Sequence, residues 1–357
     1  MRKDNKTSRR VHIAPQIVFA DGISGSGKTA LSAVLQSLER VEVQRIDPIY
    51  EEICVMRFLD RIEEDAAVTL IRIQSDLSCH DMMISRGANF RCSDLSSVIA
   101  RREEYERRLT LPDGPPVLER IRQERPILHL MTHQTIGISH PLFEAVGDRG
   151  VLIEMVRHPL FVLTAWLDYI SRYGTDPLEL DICLDYKGQD LPWFALGWEE
   201  IFLESNRMDR IIRSLDFLTT RRNLFLKSQP QNARLLCIPF EKFVQEPWPF
   251  IEKIETLLGT KRTDRTEKVL QEQKIPRKVL TDVPSLHALQ RYGWRPLKNG
   301  ETTNEAEVQR QWGLVKKEAS MEAVRIFEQI CSHYEREYGI SPPPPSPYLR
   351  GGLREGI

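Results

Sequence analysis

The chain has 357 residues, 41% of them hydrophobic and 28% charged, which leaves room for one large domain or two ordinary ones and excludes a disordered or fibrous protein. Its mean hydropathy is −0.37, and nowhere does an uncharged apolar run reach the roughly 18 residues that a membrane-spanning helix needs. Fifty Lys plus Arg against 51 Asp plus Glu give a net charge of −1, which excludes the bulk basic footprint of a nucleic-acid binder but not a local basic pocket.

Residues 1–14 read as a basic tail without the apolar stretch of a signal peptide. An apolar run of strand length follows at 16–20, then a glycine-rich loop at 22–29 and a helical pattern from Ala30. A second strand is expected at 41–46, ending at Asp47. The stretch 93–108 is heavily charged, and the Pro and Gly residues of 111–116 break it before a short helix. Further strands are expected at 126–131, 151–156 and 233–238, with a helical segment over 193–225 that begins with Trp193, Phe194 and Trp198. A charged stretch follows Gly259, then one long helix over 304–338, then four prolines at 342–345 and a Gly/Arg tail expected to be disordered.

Strands interleaved with helices predict an α/β fold in three layers, a mostly parallel sheet between helices, with the ligand at the carboxyl edge of the strands. The expected organisation is the tail 1–14, an α/β domain over 15–260, a helical extension over 261–340 packed on it, and the tail 341–357. Six cysteines at 54, 79, 92, 183, 237 and 331 form no metal-spaced cluster and read as reduced thiols of a cytoplasmic protein.

Gly22, Gly27, Lys28 and Thr29 fill every position of G-x-x-x-x-G-K-[ST], after a strand and before a helix. The backbone amides of Gly22, Ser24, Gly25, Ser26 and Gly27 are expected to wrap a phosphate, aided by the positive end of the following helix. Lys28 reaches the terminal phosphoryl or sulfuryl oxygens, and Thr29 is a magnesium ligand only if the ligand is a nucleoside triphosphate.

Four segments in order resemble the P-loop sulfotransferase superfamily, whose members transfer a sulfuryl group from 3′-phosphoadenosine 5′-phosphosulfate (PAPS). They are the strand and loop at 16–29, the strand that ends in Thr132 and His133, the turn of Arg157 and Pro159 with the helix behind it, and the strand and helix of 236–259. The resemblance implies His133 as catalytic base, Lys28 on the transferred group, and Arg157 on the 3′-phosphate. The chain departs from the family in the position of its loop lysine. It also carries Ala165 where a phosphate-binding Ser is expected, so Thr164, Arg277 and Lys278 become the candidates to complete that subsite. Pro276, Arg277 and Lys278, with Tyr292 and Trp294, are similar to a late basic motif of the family, with Val279 in place of its Gly.

Several of these residues have an alternative role. His133 also suits a strand cap, and Arg157 a helix carboxylate. Asp47 is either a base toward an acceptor hydroxyl, as in small-molecule kinases, or the start of a helix, where Pro48, Glu51 and Glu52 follow it. Ser85, Arg86, Asn89 and Arg91 suit an anionic or hydroxylated acceptor or a solvated loop. Trp193, Phe194 and Trp198 suit stacking or core. Three functions follow: a PAPS-dependent sulfotransferase acting on a small molecule or glycan, a kinase using ATP with Mg²⁺, and a non-catalytic nucleotide-binding protein. The first is preferred, and the oligomeric state is left open.

Overall fold

The structure is a computed structural model and describes residues 5–230, 233–280 and 304–340. Its strands are β1 (Gln16–Asp21), β2 (Arg45–Ile46), β3 (Ile127–Met131), β4 (Gly150–Val156), β5 (Cys183–Tyr186), β6 (Gln189–Pro192) and β7 (Leu235–Pro239). Five of them form one sheet in the order β2-β3-β1-β4-β7, with every neighbouring pair parallel. The continuous apolar runs have the reason expected of parallel strands covered on both faces: every residue of β3 and β4 is buried.

The helices in chain order are α1 (Lys28–Leu35), α2 (Ile49–Phe58), α3 (Glu64–Met83), α4 (Arg102–Leu109), α5 (Pro115–Glu124), α6 (His140–Val146), α7 (Pro159–Arg172), α8 (Glu199–Glu204), α9 (Arg207–Ser228), α10 (Phe240–Gln245), α11 (Trp248–Leu258), α12 (Asp264–Glu272), α13 (Asn304–Glu318) and α14 (Met321–Tyr338). Right-handed crossovers place α1 on one face and α2, α3 and α6 on the other. The packing agrees, since α1 lies with α12 while α3 lies with α2 and α6. The connection leaving β1 runs toward β2 and the one leaving β4 runs toward β7, in opposite directions from adjacent strands. That divergence opens a crevice at the carboxyl ends of β1 and β4, and both the phosphate loop and Arg157 begin there. Helices α13 and α14 pack on α7, and α14 also on α9.

The strand expected over 41–46 is shorter. The hydroxyl of Tyr105 takes the backbone N–H of Val43 at 3.3 Å, so regular pairing resumes only at Arg45–Ile46, apart from a single bridge from Val41 to Ile127. The helix expected over 304–338 is two helices. Ser320 donates its N–H to Asp209 and accepts from Ala323 through its side chain, capping α14 and turning the chain. The segment 193–225 likewise divides into a short 3₁₀ turn, α8 and α9. The antiparallel pair β5–β6 had no counterpart among the expected elements. The tail after Ile340 lies outside the described residues, as do Tyr292 and Trp294. All six cysteines are free. Among the described residues no helix is long and apolar enough to cross a membrane.

Candidate active site

Two glycines shape the loop between β1 and α1. Gly25 has φ +81°, and a β-carbon there would lie 2.8 Å from the Cβ of Ala165; Gly27 has φ +98°, and a β-carbon there would enter the Phe240 ring. Only glycine satisfies both the left-handed backbone and the close approach. Lys28, at the first position of α1, is buried and turns back so that Nζ donates to the carbonyls of Gly22 (2.7 Å) and Ile23 (3.1 Å). Burial lowers its pKa to about 8, against the opposing pull of the Asp21 and Glu51 carboxylates. Ser24 and Thr29 are half-buried on the loop and at the helix start. Ser26 is buried, and its hydroxyl has no hydrogen-bond partner among the described residues.

Arg157 leaves the end of β4 and donates to the carbonyls of Gly25 (3.1 Å) and Leu280 (3.2 Å). Its guanidinium stands 4.4 Å from the centre of the Phe240 ring, and that of Arg277 stands 5.5 Å from the same ring. Burial pulls the Arg157 pKa down, opposed by Glu241. Phe240 therefore gathers Gly27 and two guanidinium groups beside the loop. The Thr164 hydroxyl, a candidate for the 3′-phosphate subsite, accepts from Gln311 (2.8 Å) and Arg310 (3.2 Å) of α13. On a helix of 3.6 residues per turn, adjacent positions point about 100° apart. Ala165 takes the loop side and Thr164 faces α13. Lys278 is exposed, and its carbonyl accepts from Asn304.

His133 follows β3, and its Nδ1 lies 2.9 Å from Oε1 of Glu51. The turn that carries it is held by Asp21, whose carboxylate accepts from the Thr132 hydroxyl (3.1 Å), the Thr135 N–H (3.3 Å) and the Ile136 N–H (2.7 Å). Next to it, the Gln134 amide donates to the Tyr169 hydroxyl (2.9 Å), which in turn lies 3.4 Å from Asp181. Burial raises the Asp181 pKa to about 6, with Glu179 and Glu51 pushing in the same direction. Neither Glu51 nor Asp21 was singled out in the sequence as a partner of the His133 turn. Glu51 read as an acid complementing the α2 dipole; the available signal for Asp21 was a lone carboxylate closing an apolar strand.

Asp47 serves the start of α2. Its carboxylate accepts from the Ile49 N–H at 3.4 Å and from Gln74 at 2.9 Å, the contacts of the helix-start alternative. Trp193 and Phe194 are core residues, Trp193 in edge-to-face contact with Phe58 and Phe194 tilted against Trp166, and Trp198 packs on Phe202. In the 85–91 segment Arg86 pairs with Asp81 and Asp113, and Asn89 bonds Ser96. That segment lines a separate cavity beside β2.

No family model matches the chain, and no curated protein matches it. Among solved structures it is similar to the sulfotransferase domain from the curacin biosynthetic pathway, at 14% identity and TM-score 0.42, covering 88% of this chain and 97% of that one. It is similar to the sulfotransferase domain of the Synechococcus PCC 7002 olefin synthase at 14% identity and TM-score 0.42, covering 96% and 99%. A third likeness is to sulfotransferase STF9 from Mycobacterium avium, at 14% identity and TM-score 0.40, covering 93% and 78%. By its own strand order, parallel pairing and glycine-rich loop, the chain is an α/β protein of the P-loop type.

Proposed function

We propose that the chain is a P-loop transferase that moves a sulfuryl group from PAPS to a hydroxyl or amine of a small molecule or glycan. The observation that carries this reading is the His133–Glu51 pair, placed at the strand edge where Glu51 also acts on the buried Lys28. The residues suit the donor. Loop amides, the Ser26 hydroxyl and Lys28 meet the 5′-phosphosulfate. Arg157, whose Nε has no partner among the described residues, and Arg277 meet the 3′-phosphate across Phe240. When bound, PAPS supplies the sulfuryl group, which bonds to the acceptor atom as its bond to the 5′-phosphate breaks. Donation of Nδ1–H to Glu51 leaves Nε2 of His133 to take the acceptor's proton. Lys28, released from the Gly22 and Ile23 carbonyls, stabilises charge growing on the bridging oxygen.

A kinase using ATP with Mg²⁺ is the second reading, favoured by Ala165 in the 3′-phosphate position and by Thr29 beside Lys28. Against it stand the commitments of Asp47 and Asp21 to protein donors and the arginine that ends β4. Affinities of PAP and of Mg·ADP for the parent, Arg277→Ala and Thr29→Ala proteins separate the two. The transferase reading expects tighter PAP binding that Arg277→Ala weakens at least tenfold. Tighter Mg·ADP binding, lost in Thr29→Ala and unchanged in Arg277→Ala, would overturn it.

A further inference from the structure

The turn that carries His133 is held on both sides of the histidine by the end of β1. Ahead of it, the Thr132 N–H donates to the Ala20 carbonyl at 3.0 Å and the Thr132 hydroxyl to Asp21. Behind it, the N–H groups of Thr135 and Ile136 also reach Asp21, and the Gln134 N–H donates to the Gly22 carbonyl at 3.3 Å. That grip imposes a strained backbone. Gln134 has φ +59°, in the left-handed region that a residue with a β-carbon seldom occupies, and it is buried with its Nε2 on the Tyr169 hydroxyl. A conformation of this kind persists only where the surroundings over-determine it, and such residues gather at functional sites.

One of the anchors is shared. The Gly22 carbonyl that takes the Gln134 N–H also takes Nζ of Lys28, at 2.7 Å. The lysine of the phosphate loop and the histidine turn therefore hang on a single oxygen. A carbonyl oxygen has two lone pairs and can serve both donors, but the ammonium polarises it and leaves the amide with the weaker, longer bond. Removing the ammonium returns that electron density to the amide.

We infer that Gln134 is a positioning residue, whose left-handed backbone passes the state of Lys28 through the Gly22 carbonyl to His133. With Lys28 on the carbonyl, the turn is held loosely. When an anion in the loop draws Lys28 away, the Gln134 N–H closes on the freed oxygen and sets the His133 ring against Glu51. The base is then complete only when the donor site is filled. The inference rests on the transferase reading for the identity of that anion, and on the shared carbonyl alone for the coupling.

Magnetic resonance of the whole chain tests it, with ¹⁵N-glutamine labelling to read the Gln134 amide, ¹³C-histidine labelling to read the His133 ring, and PAP affinity read by calorimetry on the same preparations. On addition of PAP to the parent, the Gln134 amide proton is expected to move downfield as its hydrogen bond shortens, and the His133 ring signal to move with it. Lys28→Met is expected to show both displaced signals with no PAP present. Gln134→Val, whose branched side chain disfavours the left-handed region, is expected to bind PAP as the parent does while the His133 signal no longer responds. Gln134→Gly loses the same bond to Tyr169 but keeps the N–H and takes a positive φ freely, so it should restore the response. Signals of Lys28→Met at the positions of the ligand-free parent, a full response in Gln134→Val, or no response in Gln134→Gly overturns the assignment. If Lys28→Met shows the displaced signals and PAP does not bind the parent, the transferase reading fails and the coupling stands. If PAP binds the parent and neither signal moves, the coupling fails alone.

Discussion

Replacing Lys28 with Met should make the ligand-free protein more stable while abolishing its response to the donor. The Lys28 pKa falls from its ordinary 10.5 to about 8 because burial strips water from the ammonium. At about 1.4 kcal/mol for each pH unit, holding the charge in the loop costs the native state up to about 3 kcal/mol at pH 7. Met keeps the buried stem and removes the charge. It strands neither carbonyl, since Gly22 O also accepts from the Gln134 N–H and Ile23 O from the Ser26 N–H. The sign follows from proton counting: the unfolded chain holds the lysine proton to pH 10.5, the native protein releases it near 8, and in between the stability of the parent rises with pH. Urea unfolding at pH 7 and at several points up to pH 10.5 should therefore show Lys28→Met more stable at pH 7, with the gap closing toward pH 10.5. A PAP-dependent rise in melting temperature should appear in the parent and vanish in the variant. Equal stability at pH 7 with parallel curves to pH 10.5 would refute the claim that the loop holds a desolvated cation for its ligand.

Gly27→Ala should destabilise by about 2–5 kcal/mol, from a left-handed backbone and collision with Phe240; in urea unfolding, Phe240→Leu should restore the steric part and leave the backbone part, and additive effects would deny the contact. Glu51→Gln should lower kcat about 100-fold by loosening the hold on His133 while PAP affinity stays within about twofold, and an unchanged kcat would remove Glu51 from the site. His129, fully buried in β3, has its pKa pushed down to about 4 by burial. The unfolded chain takes up that proton near pH 6.5 and the native protein resists it to about 4, so stability is lost as the pH drops from 6.5 to 4. His129→Leu should flatten the acid limb by up to about 3 kcal/mol relative to the parent, and identical limbs would place the acid sensitivity elsewhere.

What the sequence alone determined is local. The phosphate loop is legible because wrapping an anion demands glycines at fixed intervals between a strand and a helix, and β1, β3 and β4 are legible because strands buried on both faces must be continuously apolar. The same logic delivers His133 and Arg157 to the carboxyl edge, since each directly follows such a run. The β5–β6 pair escaped because each strand has only four residues and β5 is buried on neither face; its one local sign is the Lys187–Gly188 turn, both residues at positive φ. Tertiary structure decided the rest. Glu51 meets His133 across 82 residues, and Phe240 closes over Gly27 and collects Arg157 and Arg277 from three separate stretches of chain. Thr164 and Ala165 are neighbours in the sequence, and only the docking of α13 settled which of them faces the loop. Periodicity along a chain records which face of an element is buried; it carries no record of which distant side chain arrives there, because that pairing exists only once the sheet order and helix packing bring the elements together.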